Sequence, residues 1–133
     1  MPAASPLSNV AKRDYLGFGL DDQFQPHRVS QWLGLEKDDV ARIANIPLDL
    51  VRHDDNMPTK ARNRLEEIAI ACNFIAEIFD GDLVRTWAWF QAANPMLGDV
   101  SPRDMVRLGR FDRLRKFIVS ALDERAARDA SAD

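Results

Sequence analysis

Residues 89–102 are Trp89-Phe90-Gln91-Ala92-Ala93-Asn94-Pro95-Met96-Leu97-Gly98-Asp99-Val100-Ser101-Pro102. Asn-Pro and Gly-Asp are turn signals, and the residue before a proline is disfavoured in the α region. The helix that carries Trp89 is therefore predicted to end near Ala93. Ser101 then has the chemistry of an N-cap, with Pro102 at the first helical position and Asp104 three residues beyond the cap, so a new helix is predicted there.

This ordered set of an aromatic helix, an Asn-Pro-x-Leu-Gly turn and a Ser-Pro-capped helix resembles the toxin-binding domain of the Xre/MbcA/ParS family of antitoxins. The resemblance covers roughly Trp87–Leu122. It departs from the family around the second turn, where the family usually has a glycine or arginine and a threonine and this chain has Asp99, Val100 and Ser101. The resemblance implies an antitoxin of a type II toxin–antitoxin system, whose partner is a RES-domain toxin that degrades NAD or uses it for ADP-ribosylation.

The toxin-binding module would then dock on the toxin by its turn. The excess of basic residues at the C-terminal end motivates the hypothesis that a basic side chain of the last helix takes the space of the NAD phosphates. The candidate toxin-binding residues are Trp89, Asn94, Pro95, Met96, Leu97, Gly98, Ser101, Lys116, Arg125 and Arg128. Trp87 and Phe90 lie three apart, on one side of their helix with Leu83 and Val84, and are expected to be buried. Trp89 lies about 200° around the helix from Trp87. Burial and a place at a partner surface are therefore both open for Trp89.

Helical periodicity and turn signals predict an all-α fold, a helical bundle in three parts. Residues 1–25 form a partly ordered N-terminal arm, 26–80 a dimerisation and DNA-binding module that contains an Xre-like helix-turn-helix, and 81–133 a toxin-binding module. The first predicted helix runs from Pro26 to Leu33 and is closed by Gly34; a second begins near Glu36, and a short third begins at Pro47. The longest is predicted from an N-cap at Thr59 to Phe79. Asp82 is predicted to cap the next helix, and a last helix runs from about Arg110 to Arg128.

The segment Asp38–Asp54 has the spacing of a helix-turn-helix, with Asn45 in a left-handed conformation at the turn. Its second helix, Pro47 to about His53, would lie in the major groove of operator DNA. The candidate DNA contacts are Lys37, Arg42, Arg52, Lys60 and Arg62. Asp49, Asp54 and Asp55 would repel phosphates, because cations supply most of the affinity for DNA. A helix-turn-helix kept only as a dimer scaffold is therefore the alternative.

Charge is unevenly distributed over the 133 residues, whose net charge is −3. Residues 1–100 hold 10 basic and 15 acidic side chains, whereas residues 101–128 hold eight basic and four acidic ones. This C-terminal basic excess is consistent with a phosphate contact, with an acidic protein partner, or with a solvated helix face.

The remaining sequence features argue against other classes of protein. No apolar run approaches the roughly 20 residues that span a bilayer, and no secretory signal is evident. The single cysteine, Cys72, falls on an apolar helix stripe and favours a buried thiol in a reducing cytoplasm. The two histidines, His27 and His53, lack metal-ligand spacing with Cys72, so no metal, cofactor or catalytic activity is predicted.

A homodimeric antitoxin that represses its own operon is thus the favoured function. One alternative is a stand-alone helix-turn-helix transcription regulator, whose C-terminal helices only dimerise. Another is an adaptor bundle that binds neither DNA nor a toxin.

Overall fold

A computed structural model describes residues 14–20, 23–52 and 57–131 of the chain, and these residues form an all-α fold. Six α-helices are present in this part of the chain, joined by two 3₁₀ turns at Leu48–Leu50 and Pro95–Leu97. The helices are α1 Pro26–Leu33, α2 Lys37–Ala44, α3 Thr59–Ile78, α4 Leu83–Gln91, α5 Pro102–Arg107 and α6 Phe111–Ser131. No helix among the described residues is long and apolar enough to cross a membrane.

The helix boundaries follow local capping chemistry. Gly34 ends α1 in the left-handed conformation, as predicted, and Asn45 does the same for α2 with φ of 55°. Asp82 accepts a hydrogen bond from the Arg85 N–H at 3.1 Å, and Ser101 accepts one from the Asp104 N–H at 3.0 Å. These short-range predictions are confirmed because each cap depends only on neighbouring residues.

Helix α3 is the centre of the bundle and packs against α1, α2, α4 and α6. All six residues from Ala71 to Ala76 are buried, which is the pattern of a helix surrounded on every side. Cys72 is buried as predicted, and burial raises the pKa of its thiol. Two details of the prediction are wrong. Pro58, not Thr59, is the N-cap of α3, and α6 with 21 residues is longer than α3 with 20.

The predicted second helix of the helix-turn-helix is also wrong where the structure describes it. Only the 3₁₀ turn Leu48–Leu50 forms, and Val51 has an extended backbone with φ of −73° and ψ of 119°. Leu48 and Leu50 are both about half exposed, whereas Val51 is buried. Val51 thus reaches the core from an extended backbone. A longer helix would have had few other apolar side chains to bury. His53, Asp54 and Asp55 lie outside the described residues.

One hydrophobic core extends across residue 80. It contains Leu33 and Leu65 from the first predicted module together with Phe90, Met105 and Ile118 from the second. The division into modules at this point stays a prediction.

The described part of the N-terminal arm is bound to α3 through two polar side chains. Asn73 is fully buried; its side chain accepts the Leu16 N–H at 3.1 Å and donates to the Asp14 carboxylate at 3.1 Å. Asp14 also accepts backbone N–H groups of Phe18 and Gly19, which closes the segment into a compact loop. Phe18 is buried in the core.

Candidate partner-binding site

The aromatic residues of α4 form a cluster with the rings of neighbouring helices. Trp32 of α1 contacts Trp87 and Phe90 edge-on, with ring centroids 5.0 and 5.2 Å apart. Trp89 contacts Phe90 at 5.0 Å and stacks on Phe117 of α6 at 6.5 Å. Phe90 is buried as expected. The expectation that Trp87 is buried is wrong, since Trp87 and Trp89 are both only partly buried.

The outer end of α4 differs from the expectation of a buried face. Leu83 is 45% exposed and Val84 is 80% exposed, although they share a side of the helix with Trp87. The reason is that α4 packs on α3 and α5 through Thr86 and Phe90, which leaves its first turn beyond the reach of the core.

The turn after α4 is fixed by a single asparagine. Asn94 has an extended backbone and its side chain accepts the Met96 N–H at 2.9 Å. Its own carbonyl accepts the N–H groups of Leu97 and Asp99, and its N–H donates to the Val100 carbonyl at 3.2 Å. Four hydrogen bonds on one residue define the shape of the whole turn.

The side chains of this turn are divided between the core and the surface. Leu97 is 2% exposed and holds the turn to the core, whereas Met96 is 74% exposed. Pro95 and Gly98 are exposed, and Gly98 has φ of 73°. The next residue, Asp99, also has a positive φ, of 64°, a conformation that aspartate and asparagine tolerate better than most residues. Of the predicted toxin-binding residues, the turn therefore exposes Pro95, Met96 and Gly98, and Met96 is the large apolar one.

Helix α5 is attached to the first half of the chain by arginines. The Arg103 guanidinium donates to the carbonyls of Leu33 and Gly34, which terminate α1. Arg107 contacts the carboxylate of Asp39 in α2 at 3.5 Å and that of Asp104 at 3.3 Å.

Asp39 is the buried centre of this contact between α2 and α5. It accepts the Glu36 N–H at 2.9 Å in a capping box and pairs with Arg42 at 3.1 Å. Burial alone would raise the pKa of Asp39, but the Glu36 N–H, Arg42 and Arg107 together hold this pKa below its ordinary value. Asp39 therefore remains a carboxylate that both arginines neutralise.

A groove of about 680 Å³ lies between α2, the end of α4, the turn and α5. We call it the α2–α5 groove; its lining is Asp39, Arg42, Gln91, Ala93, Asp99, Val100, Ser101, Asp104, Arg107 and Leu108. Of the predicted toxin-binding residues, only Ser101 lines it, although Asn94–Leu97 belong to the same loop. Asp39, Asp104, Arg107 and Leu108 were missed by sequence reasoning. The signal that could have found three of them is the repeated Asp-x-x-Arg spacing of Asp39–Arg42 and Asp104–Arg107, which places opposite charges on one helix face.

The predicted basic residues of α6 are all exposed, but the structure does not place them in the α2–α5 groove. Lys116 and Arg128 are on the helix surface. Arg125 lines a second groove with Tyr15, Glu77 and Asp80, beside the end of α3.

The five predicted DNA contacts fall into two groups. Arg42, Lys60 and Arg62 donate hydrogen bonds to the carbonyls of Arg107, Asn45 and Phe24 of this chain, respectively. Lys37 and Arg52 are exposed.

No family model, curated protein or solved structure significantly matches the chain. The family resemblance therefore rests on the motif in residues 87–122. Within the described ranges, no group of three or more acidic, histidine or cysteine side chains is arranged to hold a metal ion.

Proposed function

We propose that this protein is an antitoxin, which binds a RES-domain toxin through the turn between α4 and α5. The observation that carries the proposal is that Met96, 74% exposed, stands on a backbone fixed by Asn94 and by the buried Leu97. An apolar side chain held in place before binding loses little conformational entropy on association, which favours its use as an interface anchor.

Neutralisation in this proposal is steric and electrostatic. The turn docks on the toxin, and the exposed second half of α6 extends from the core toward the toxin's NAD site. Arg125 and Arg128 are both exposed there, and Lys116 lies earlier on the same helix. A guanidinium or ammonium group at that site would occupy the space that the NAD phosphates would otherwise take.

Repression of its own operon by a homodimer in the cytoplasm completes the proposal. The DNA contacts would come from Lys37 and Arg52, which are exposed on the surface. Arg42, Lys60 and Arg62 would first have to release main-chain carbonyls. Because three of the five predicted contacts already donate to main-chain carbonyls, we expect the single chain to bind DNA weakly and the multivalent complex to bind it more tightly.

The proposal is tested by co-expressing the protein with its neighbouring reading frame and measuring growth and co-purification. Met96→Ser should weaken the complex about tenfold or more, because Met96 is its apolar anchor. Val84→Ser is the matched control, since Val84 is similarly exposed, at 80%, but lies outside the turn. A neighbour that is harmless alone and does not co-purify would refute the antitoxin function. Equal loss in both variants would refute the role of the turn.

The blocking step has its own test. Arg125→Ala combined with Arg128→Ala should leave the complex assembled but reduce rescue of growth, because docking and blocking use different residues. Full rescue by this double variant would contradict the electrostatic part of the mechanism.

A further inference from the structure

The charges that line the α2–α5 groove do not balance. Asp39 is paired with Arg42 and Arg107, and Arg107 also reaches Asp104. The Arg103 guanidinium, which is not part of the lining, lies 4.0 Å from the same Asp104 oxygen, Oδ1, that Arg107 contacts. The lining therefore contains three carboxylates and two guanidinium groups, and both guanidinium groups are engaged with carboxylates of the same chain.

Asp99 is the carboxylate left over. It is exposed, and among the residues that the structure describes it makes no ion pair or side-chain hydrogen bond. Its backbone is held by the hydrogen bond from its N–H to the Asn94 carbonyl at 3.0 Å. The negative charge therefore stands on a backbone that is already fixed.

Apolar side chains line the same groove as this charge. Leu108 is 50% exposed, Val100 is partly buried, and Ala93 is exposed at the end of α4. All three line the groove with Asp99. An occupant that covered Leu108 would bury apolar surface, and a cation beside it would meet the unpaired carboxylate.

We propose that the α2–α5 groove binds a segment of the partner protein that carries one arginine or lysine flanked by apolar side chains. This inference rests on the proposed function and names the part of the toxin that this surface would recognise. Charge complementarity selects the occupant. A phosphate or an acidic peptide would meet Asp99, while Arg42 and Arg107 are already held by Asp39, Asp104 and a main-chain carbonyl.

The test uses the full chain labelled with ¹⁵N and two capped hexapeptides that differ at one position. One peptide has an arginine between leucines and the other has a glutamate there. The arginine peptide should shift the amide signals of Asp99, Val100 and Leu108 at millimolar concentration, and the glutamate peptide should shift them far less. Equal responses to both peptides, or shifts confined to other residues, would overturn the proposal.

Asp99→Asn is the decisive variant, because asparagine keeps the tolerance for a positive φ and removes only the charge. We expect it to weaken binding of the arginine peptide about three- to fivefold, the range of a partly exposed ion pair. Asp123→Asn is the control, since Asp123 is exposed on α6 and lines no part of the groove. Unchanged affinity in Asp99→Asn, or an equal loss in Asp123→Asn, would overturn the proposal.

The co-purified complex separates this inference from the proposed function. If the toxin binds wild type and Asp99→Asn equally, the groove proposal fails while the antitoxin function stands. If no toxin binds at all, the antitoxin function fails, and the peptide titration alone decides the chemistry of the groove.

Discussion

The loops after α2 and after α4 have similar sequences and opposite uses of asparagine. Each contains an asparagine, a proline and a three-residue 3₁₀ turn, which follows Pro47 in the first loop and begins at Pro95 in the second. Asn94 precedes its proline directly, which favours an extended backbone and lets its side chain cap the turn. Asn45 is separated from Pro47 by Ile46, takes the left-handed conformation, and ends α2 instead. The presence of Ile46 between the asparagine and the proline thus goes with a different role. Asn94 caps its turn with its side chain, whereas Asn45 ends its helix with its backbone conformation.

The two turns also differ in what they bury. The turn after α4 places Leu97 in the core, whereas Leu48 and Leu50 of the other turn are about half exposed. A turn with a buried anchor and a capping side chain presents its exposed residues in a defined position. In the other loop the buried residue is Val51, which follows the 3₁₀ turn and is not part of it.

The largest expected effect is the difference in stability loss between alanine substitutions of Leu97 and of Leu48. Leu97→Ala should lower the free energy of unfolding by about 2–4 kcal/mol, because it removes a buried side chain and leaves a cavity. Leu48→Ala should lower it by about 0.5 kcal/mol or less, since that side chain is already half in water. Urea denaturation measures both, and equal losses would show that the two turns are anchored alike.

The next effect concerns Asp39, which joins α2 to α5. Helix α2 precedes the loop that contains Asn45, and α5 follows the loop that contains Asn94. Asp39→Asn should lower the free energy of unfolding at pH 7 by about 1–2 kcal/mol, because Arg42 and Arg107 lose their shared carboxylate. The pKa of Asp39 is lowered in the folded state, so this stabilisation is present above its ordinary value of 3.8 and is lost as the pH falls below it.

The advantage of wild type over Asp39→Asn should therefore be constant near neutrality and shrink below about pH 4. Denaturation series at several pH values measure this difference. A difference that persists at pH 2 would mean that packing, and not the charge, is what Asp39 contributes.

Asn45 and Asn94 should respond to different rescues. Alanine at either position should lower the free energy of unfolding by about 1 kcal/mol, through a strained backbone at residue 45 and a lost cap at residue 94. Glycine should restore stability at residue 45, where only the backbone conformation matters. Aspartate should restore it at residue 94, where an acceptor oxygen matters. Thermal unfolding of these four variants decides whether the two roles are distinct.

The smallest effect on stability is expected for the residue with the largest proposed role in binding. Met96→Ser should change the free energy of unfolding by about 0.5 kcal/mol or less, because the side chain is 74% exposed. A larger loss would mean that Met96 supports the turn itself, and its weaker complex would then reflect folding.

The features that could be predicted from the sequence depend on short spacings. The caps at Gly34, Asp82 and Ser101 and the left-handed Asn45 each follow from a few adjacent residues, as does the apolar stripe that buries Cys72. The predicted second helix of the helix-turn-helix failed because propensity alone does not reveal that Leu48 and Leu50 find no partner in the core.

The α2–α5 groove could not be predicted because it is made by distant residues. Asp39 and Arg107 are 68 positions apart, and Arg103 and Leu33 are 70 apart. The Asp-x-x-Arg spacings of Asp39–Arg42 and Asp104–Arg107 indicate a charged face on each helix. Only the packing of α5 against α2 brings these two faces together. Exposure of Met96 beside a buried Leu97 likewise depends on how the turn meets the core.

The hydrogen bonds of Asn73 also order the events of biosynthesis. Its buried amide is bonded by Asp14 and Leu16, which leave the ribosome nearly 60 residues earlier. The arm can therefore bind Asn73 only after α3 has been synthesised. Until the arm binds, the hydrogen bonds of the Asn73 side chain to Asp14 and Leu16 are not made. Loss of the segment that contains Asp14 and Leu16 would leave the buried Asn73 amide without these two partners in the centre of the bundle.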